Sequence, residues 1–269
     1  MTAIRIEGVG FVYPDGTRAL TDVDLAFEPG ESVAIVGQNG SGKSTLVRHL
    51  NGLLRPTEGR VLHDGEDVAN VRTAALAARV GIVFQNPDRQ IFAGNVRAEV
   101  AFGPRILGRS AETVETATRE ALEVVGLADV ADANPYDLGY SRRKLLAIAS
   151  VLAMDTPVVV LDEPTTGQDA RGIARVQAVL AELAGEGRTV IAISHDMRFV
   201  AESFARIVVM GGGRVLLDGT PAEVFEESAW PVLESTYLEP PYTARVGARL
   251  GLGPTPTETA LLAALSARG

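Results

Sequence analysis

Short, almost unbroken apolar runs punctuate the chain at Ser32-Val33-Ala34-Ile35-Val36, Val80-Gly81-Ile82-Val83-Phe84, Val158-Val159-Val160-Leu161 and Thr189-Val190-Ile191-Ala192-Ile193. All are strand-length, and the last two suit strands buried on both faces of a parallel sheet. Ahead of them, Ile4 and Ile6 alternate with Arg5 and Glu7, and Leu20, Val23, Leu25 and Phe27 continue an extended pattern after a turn at Pro14-Asp15-Gly16. That opening reads as an antiparallel sheet. Helical periods follow from about Val96 to Leu107 and from Ala111 to Val125, where Val114, Ala117, Ala121, Leu122 and Val125 form a one-sided stripe. A strongly apolar helix is predicted from Arg142 to Met154, and another helix from about Ala170 to Gly185. Ile207 to Met210 and Arg214 to Leu217 predict a hairpin, and Pro221 to Glu227 begins a short helix. Beyond Ser228, Trp230-Pro231, Pro240-Pro241 and Pro254-Thr255-Pro256 punctuate two short helical patterns, Ala244 to Leu250 and Glu258 to Ala267. The expected class is α/β: a mostly parallel central sheet, an N-terminal antiparallel β subdomain, an α-helical subdomain and a small C-terminal helical appendage.

The first apolar run leads into Gly37-Gln38-Asn39-Gly40-Ser41-Gly42-Lys43-Ser44-Thr45, and a helical pattern, Leu46 to Leu54, leads out. Strand, glycine-rich turn and helix N-terminus together predict a phosphate-binding loop. Glycines let the backbone wrap an anion with its N–H groups pointing inward, and the helix adds its positive end. Lys43 is placed to reach β- and γ-phosphates, and Ser44 to coordinate Mg²⁺. Chance alone would produce the two glycines, the lysine and the hydroxyl in about one chain in a hundred of this length. The next candidates stand at the C-terminal ends of predicted strands, where α/β folds carry their chemistry. They are Gln85, the adjacent acids Asp162 and Glu163, and His195. Two adjacent acids at a buried strand end are costly without a cation or another partner. Asp162 is read as holding Mg²⁺ and Glu163 as polarising an attacking water. Gln85 alone is equally a turn residue, and His195 is evenly balanced between a structural and a functional role. On spacing alone, Tyr13 is more simply a half-exposed strand residue than a plate for a base.

Composition narrows the function classes. The 269 residues carry no cysteine, so disulfides and thiolate chemistry are out, and a net charge of −9 opposes a broad nucleic-acid-binding surface. No apolar run approaches the roughly 20 residues of a membrane span. Met-Thr-Ala-Ile-Arg-Ile lacks a signal-peptide pattern, which makes an intracellular protein the expectation.

Taken in order, these motifs resemble the nucleotide-binding subunit of ABC transporters, a P-loop NTPase fold. Gly37 to Thr45 resembles the Walker A loop and Gln85 the Q-loop. Val158 to Glu163 resembles Walker B with its catalytic glutamate, Thr166-Gly167-Gln168-Asp169 the D-loop, and His195 the switch histidine. Tyr13 falls at the adenine-stacking position, which reverses the reading from spacing. The resemblance covers about Ala3 to Glu227. It implies an ABC ATPase domain over residues 1–227, with a helical subdomain at about 90–155 and an appendage at 228–269. It also implies ATP and Mg²⁺ as ligands. Tyr13, Gly37, Asn39, Gly40, Ser41, Gly42, Lys43, Ser44 and Thr45 would bind the nucleotide. Ser44, Gln85 and Asp162 would meet the metal, and Glu163, His195 and Gln85 would carry hydrolysis.

Tyr13-Pro14-Asp15-Gly16, the stretch Phe84 to Phe92 with Gln90 after Asn-Pro-Asp-x, and Ala147 to Met154 look like the ATPases of energy-coupling factor transporters, a group that includes cobalt and nickel importers. That resemblance implies a peripheral protein on the cytoplasmic face of the cell membrane. Its partners would be a second ATPase, a transmembrane coupling protein and a membrane substrate-binding component, with no nucleic acid. The cargo would be a vitamin or a transition metal ion. The rival reading is a soluble ABC ATPase acting on nucleic acid or the ribosome, which the chain length and the acidic balance oppose.

One stretch departs from the family pattern. Where Leu-Ser-Gly-Gly-Gln is expected, the chain has Leu138-Gly139-Tyr140-Ser141-Arg142. Tyr140 would be strained in a glycine-only backbone conformation. Ser141 is placed to cap the following helix, and Arg142 to offer an anion contact. In the family the signature closes the partner's nucleotide site, so the expectation is a heterodimer with one competent and one impaired site.

Overall fold

The computed structural model describes residues 3–268; Met1, Thr2 and Gly269, the ends of the expected ATPase domain and appendage and the start of the N-terminal stretch read for a signal peptide, lie outside them. The chain runs β1 (Ile4–Val12), β2 (Arg18–Phe27), β3 (Ser32–Val36), α1 (Lys43–Leu50), β4 (Glu58–His63), β5 (Glu66–Asp67), α2 (Thr73–Ala77) and β6 (Val80–Val83). Three helices follow: α3 (Val96–Ile106), α4 (Ala111–Val125) and α5 (Tyr140–Leu152). The chain then returns through β7 (Val158–Asp162), α6 (Ala170–Gly185), β8 (Thr189–Ile193), α7 (Met197–Ser203), β9 (Arg206–Gly211) and β10 (Arg214–Gly219). It closes with α8 (Pro221–Val224), α9 (Trp230–Ser235), α10 (Tyr242–Leu250) and α11 (Glu258–Ser266).

Two sheets form. The larger has the order β10-β9-β3-β8-β7-β6, parallel except for the edge hairpin β9–β10, and the smaller, β2-β1-β4-β5, is antiparallel throughout. The expected α/β architecture is therefore present. The continuous apolar runs have a direct physical reason. Along β3, β7, β8 and β9, alternate residues enter different cores. Val33, Ile35, Val158, Val160, Ile191 and Ile193 pack between the two sheets, and Ala34, Val36, Val159, Leu161, Val190 and Ala192 pack toward the helices. With both faces buried, no polar position survives inside a strand.

The C-terminal stretch packs on the helical side of the large sheet, where Leu233, Leu238 and Ala244 join the same buried cluster as α3 to α6. Pro231, expected only to break the chain, stands in the first turn of α9. A proline there loses no helical hydrogen bond. No helix among the described residues is long and apolar enough to cross a membrane.

Candidate functional site

The loop after β3 holds a shape only glycine permits. Gly37 stands at φ +149°, and a Cβ there would lie 2.2 Å from the Met210 carbonyl oxygen. Gly42, the residue before α1, is left-handed at φ +98°. This geometry folds the loop around Lys43, whose Nζ donates to the carbonyls of Gly37 (2.7 Å) and Gln38 (2.8 Å) and to Ser41 Oγ (3.3 Å). Burial lowers the Lys43 pKa, and the charges of Glu163 and Asp162 work against that shift.

A cavity of about 270 Å³ opens over this loop. Of the residues singled out from sequence, Tyr13, Asn39, Gly40, Gly42, Lys43, Ser44, Thr45, Gln85, Asp162 and Glu163 line it. Gly37, Ser41 and His195 do not. Gly37 and the buried Ser41 instead form the inside of the loop, and His195 stands behind Glu163. Tyr13 reaches the cavity from the antiparallel sheet, with its hydroxyl 2.9 Å from Thr45 Oγ1 and its ring edge-on to Phe11. A larger cavity of about 520 Å³ lies between α4 and α6, lined by none of these residues.

The acids sit at the end of β7, where Asp162 pairs with Ile193 of β8. Burial raises the Asp162 pKa, opposed by a hydrogen bond from Ser44 and by the cations Lys144, Arg48 and Lys43. Glu163 is buried and holds a left-handed backbone, φ +52°, uncommon for a residue with a side chain. Its N–H donates to the Ile193 carbonyl (2.9 Å), and its carboxylate meets His195 Nδ1 (2.7 Å) and the Thr166 hydroxyl (3.3 Å). One carboxylate is thus fixed by main chain, imidazole and hydroxyl together, while the His195 side chain stays 65% exposed.

The residues also suit a divalent cation held jointly with phosphates. Among the described residues no cluster of three or more His, Asp, Glu or Cys forms a metal cage. The Ser44 hydroxyl against a desolvated Asp162 beside Lys43 offers the few hard oxygens that Mg²⁺ takes from protein when phosphates supply the rest.

Lys144 went unnoticed in the sequence. It is fully buried in α5, donates from Nζ to the Gln85 carbonyl (2.7 Å) and lies 3.4 Å from the Asp162 carbonyl. Desolvation brings its pKa down to about 8, against the pull of Asp162 and Glu163. The available signal was weak: Lys144 ends the charged run Arg142-Arg143-Lys144 where the largely apolar stretch Leu145 to Leu152 begins. Gln90 proves to be a bridge: it accepts from Phe84 N–H (3.1 Å) and donates to the Ala147 carbonyl (3.2 Å).

The altered stretch 138–142 differs from expectation in its details. Helix α5 starts at Tyr140, two residues early, and Gly139 takes the N-cap place at φ −62° with no side-chain cap. Neither Gly139 nor Tyr140 occupies the left-handed region, so the expected strain does not arise. Ser141 does not cap the helix. Its hydroxyl donates to Gln168 Oε1 (2.6 Å), and Gln168 Nε2 donates back to the Ser141 carbonyl (3.1 Å). Arg142 pairs with Asp129 (3.1 Å).

Comparison with known proteins shows the family and the fold. Residues 20–166 match the ABC transporter family. The chain is 41% identical over 249 residues to the energy-coupling factor transporter ATP-binding protein EcfA of Methanothermobacter thermautotrophicus, covering 92% of this chain and 79% of that protein. It superposes on cbiO1 from Clostridium perfringens, part of the ABC transporter complex cbiONQ, with a TM-score of 0.76 and 35% identity, over 90% of this chain and 97% of that one. It also superposes on the dimeric ATP-binding cassette MJ0796 in a post-hydrolysis state bound to ADP and Pi, with a TM-score of 0.74 and 27% identity, over 81% of this chain and 98% of that one.

Proposed function

The chain belongs to the ABC transporter family and is an ATPase of the energy-coupling factor type, and from that premise we propose that it energises membrane import of a micronutrient, a vitamin or a transition metal ion, as one half of an ATPase heterodimer. It would work as a peripheral protein on the cytoplasmic face of the cell membrane, with a second ATPase, a transmembrane coupling protein and a membrane substrate-binding component. Residues 1–227 would form the ATPase domain and 228–269 an appendage for contact between the two ATPases.

The geometry supports the following reading of the own-side chemistry. Lys43 and the loop N–H groups would hold the ATP phosphates, and Tyr13, which lines the same cavity, would stack on the base. Ser44, Asp162 and Gln85 would hold Mg²⁺, which when bound neutralises charge on the β- and γ-phosphates. Glu163 orients the attacking water and accepts its hydrogen bond, while His195 Nδ1 fixes the carboxylate from behind. Positioning and fixed charge dominate such a phosphoryl transfer.

One observation carries the heterodimer. The chain's own catalytic groups are assembled, whereas Tyr140, Ser141 and Arg142 are bonded to groups of their own chain, at Gln85, Gln168 and Asp129. A second copy of this chain is therefore a poor donor of the signature. The apolar patch of Phe92, Phe102 and Ile106, exposed near the Gln85 loop, is where the coupling protein would dock. The test is purification of the full chain from native membranes. The reading expects a membrane protein and a second ATPase with an intact signature to co-purify. Full family ATPase rates from a homodimer of the isolated chain would overturn the heterodimer, and recovery with ribosomes or DNA would overturn transport.

A further inference from the structure

Helix α5 begins at the altered signature, and its first turns bond to both loops that border the chain's own cavity. On one side, Lys144 Nζ and, more weakly, the Tyr140 hydroxyl (3.4 Å) converge on the Gln85 carbonyl. The same loop is held a second time by Gln90 on the Ala147 carbonyl. On the other side, Ser141 and Gln168 exchange two hydrogen bonds, and Gln168 lies two residues beyond Thr166, which bonds Glu163.

Packing alone does not account for Lys144. An apolar side chain of similar volume would fill the place without the cost of burying an ammonium. The partners within reach of that ammonium are the main-chain carbonyls of Gln85 and Asp162, whose side chains line the cavity. Holding those carbonyls fixes where both side chains begin.

We propose that Lys144, assisted by Tyr140 and Ser141, is a positioning residue for the nucleotide–metal site of its own chain, so that the altered signature acts in cis on Gln85 and on the loop after Glu163. The inference rests on the assignment of Gln85 to the metal made above.

The test uses Mn²⁺ as probe and a non-hydrolysable ATP analogue on the full-length chain, with free Mn²⁺ read by electron paramagnetic resonance. Lys144→Met keeps the stem and removes the ammonium. It is expected to weaken Mn²⁺ binding about tenfold, as loss of a group supporting a metal ligand does, and to leave metal-free analogue binding unchanged. Gln85→Ala gives a similar loss, and the double variant loses less than the two single losses combined, the remainder reporting the hold on Asp162. Lys144→Gln, which keeps an N–H donor, recovers part of the affinity. If Lys144→Met does not fold, Ser141→Ala is read for a smaller loss of the same kind. Unchanged Mn²⁺ binding in the Lys144 and Ser141 variants, with Gln85→Ala still defective, overturns the inference alone. Unchanged binding in Gln85→Ala overturns the metal assignment and the inference with it.

Discussion

The two loops that define a nucleotide sandwich in this family stand in one chain here and obey different rules. The loop at 37–45 is over-determined. Its glycines hold conformations or contacts closed to other residues, and its lysine is bonded three times to the loop it belongs to. The stretch at 138–144 makes no such demand. Gly139 has ordinary backbone angles and open space where a Cβ would go, and the side chains after it bond loops of their own chain. A site built to wrap an anion needs bare backbone and tolerates no substitution. A helix start that serves as a brace tolerates side chains, because it works through them.

The largest effect that sharpens this contrast is expected from Glu163→Gln in the assembled complex. Phosphate release should fall by about 10²- to 10⁴-fold, the range lost with a positioned general base, while ATP binding is kept. A complex that hydrolyses ATP at the original rate would move catalysis to the partner's site. Next is the pair Gly37→Ala and Gly139→Ala. The first drives a methyl into the Met210 carbonyl at φ +149° and should abolish ATP binding in equilibrium measurements; the second should leave it intact. Equal tolerance at both positions would erase the distinction.

A pH effect comes third. His49 lies in α1 beneath the nucleotide loop, with Nδ1 2.7 Å from the Thr45 carbonyl, and burial lowers its pKa from 6.5. The unfolded chain then binds the proton more readily. The stability from a neutral His49 is full above about 6.5 and is lost as pH falls from there toward the lowered value. Helix α5 contains no histidine. Hydrogen exchange near pH 5 should therefore expose α1 before α5, and simultaneous opening would show that the two regions are one cooperative unit. The smallest effect belongs to Gly139→Ser, which restores a capping hydroxyl at the N-cap of α5 and should add a few tenths of a kcal/mol in urea unfolding.

Sequence patterning disclosed the two-faced strands because burial on both sides leaves no room for polar residues, and it disclosed the nucleotide loop because glycine and lysine spacing there is dictated by backbone geometry. Gln85, Asp162, Glu163 and His195 were visible for a related reason: strand ends are fixed points in such a fold. The brace was not legible. Ser141 and Gln168 are 27 residues apart and look like any surface pair, and a lysine on a helix reads as solvated until the neighbouring strands are placed around it. The short helices α2 and α7 went unforeseen because five and seven residues do not establish a period.

The left-handed backbone of Glu163 has a practical consequence for anyone engineering this protein. Residues held in that region cost on the order of 1–3 kcal/mol, and glycine is free of the penalty. A library screened for heat resistance alone should therefore enrich Glu163→Gly among its stabilised survivors. Each such survivor would be a sturdier protein lacking the carboxylate proposed to orient the attacking water, so any thermostability campaign needs a turnover assay at every round.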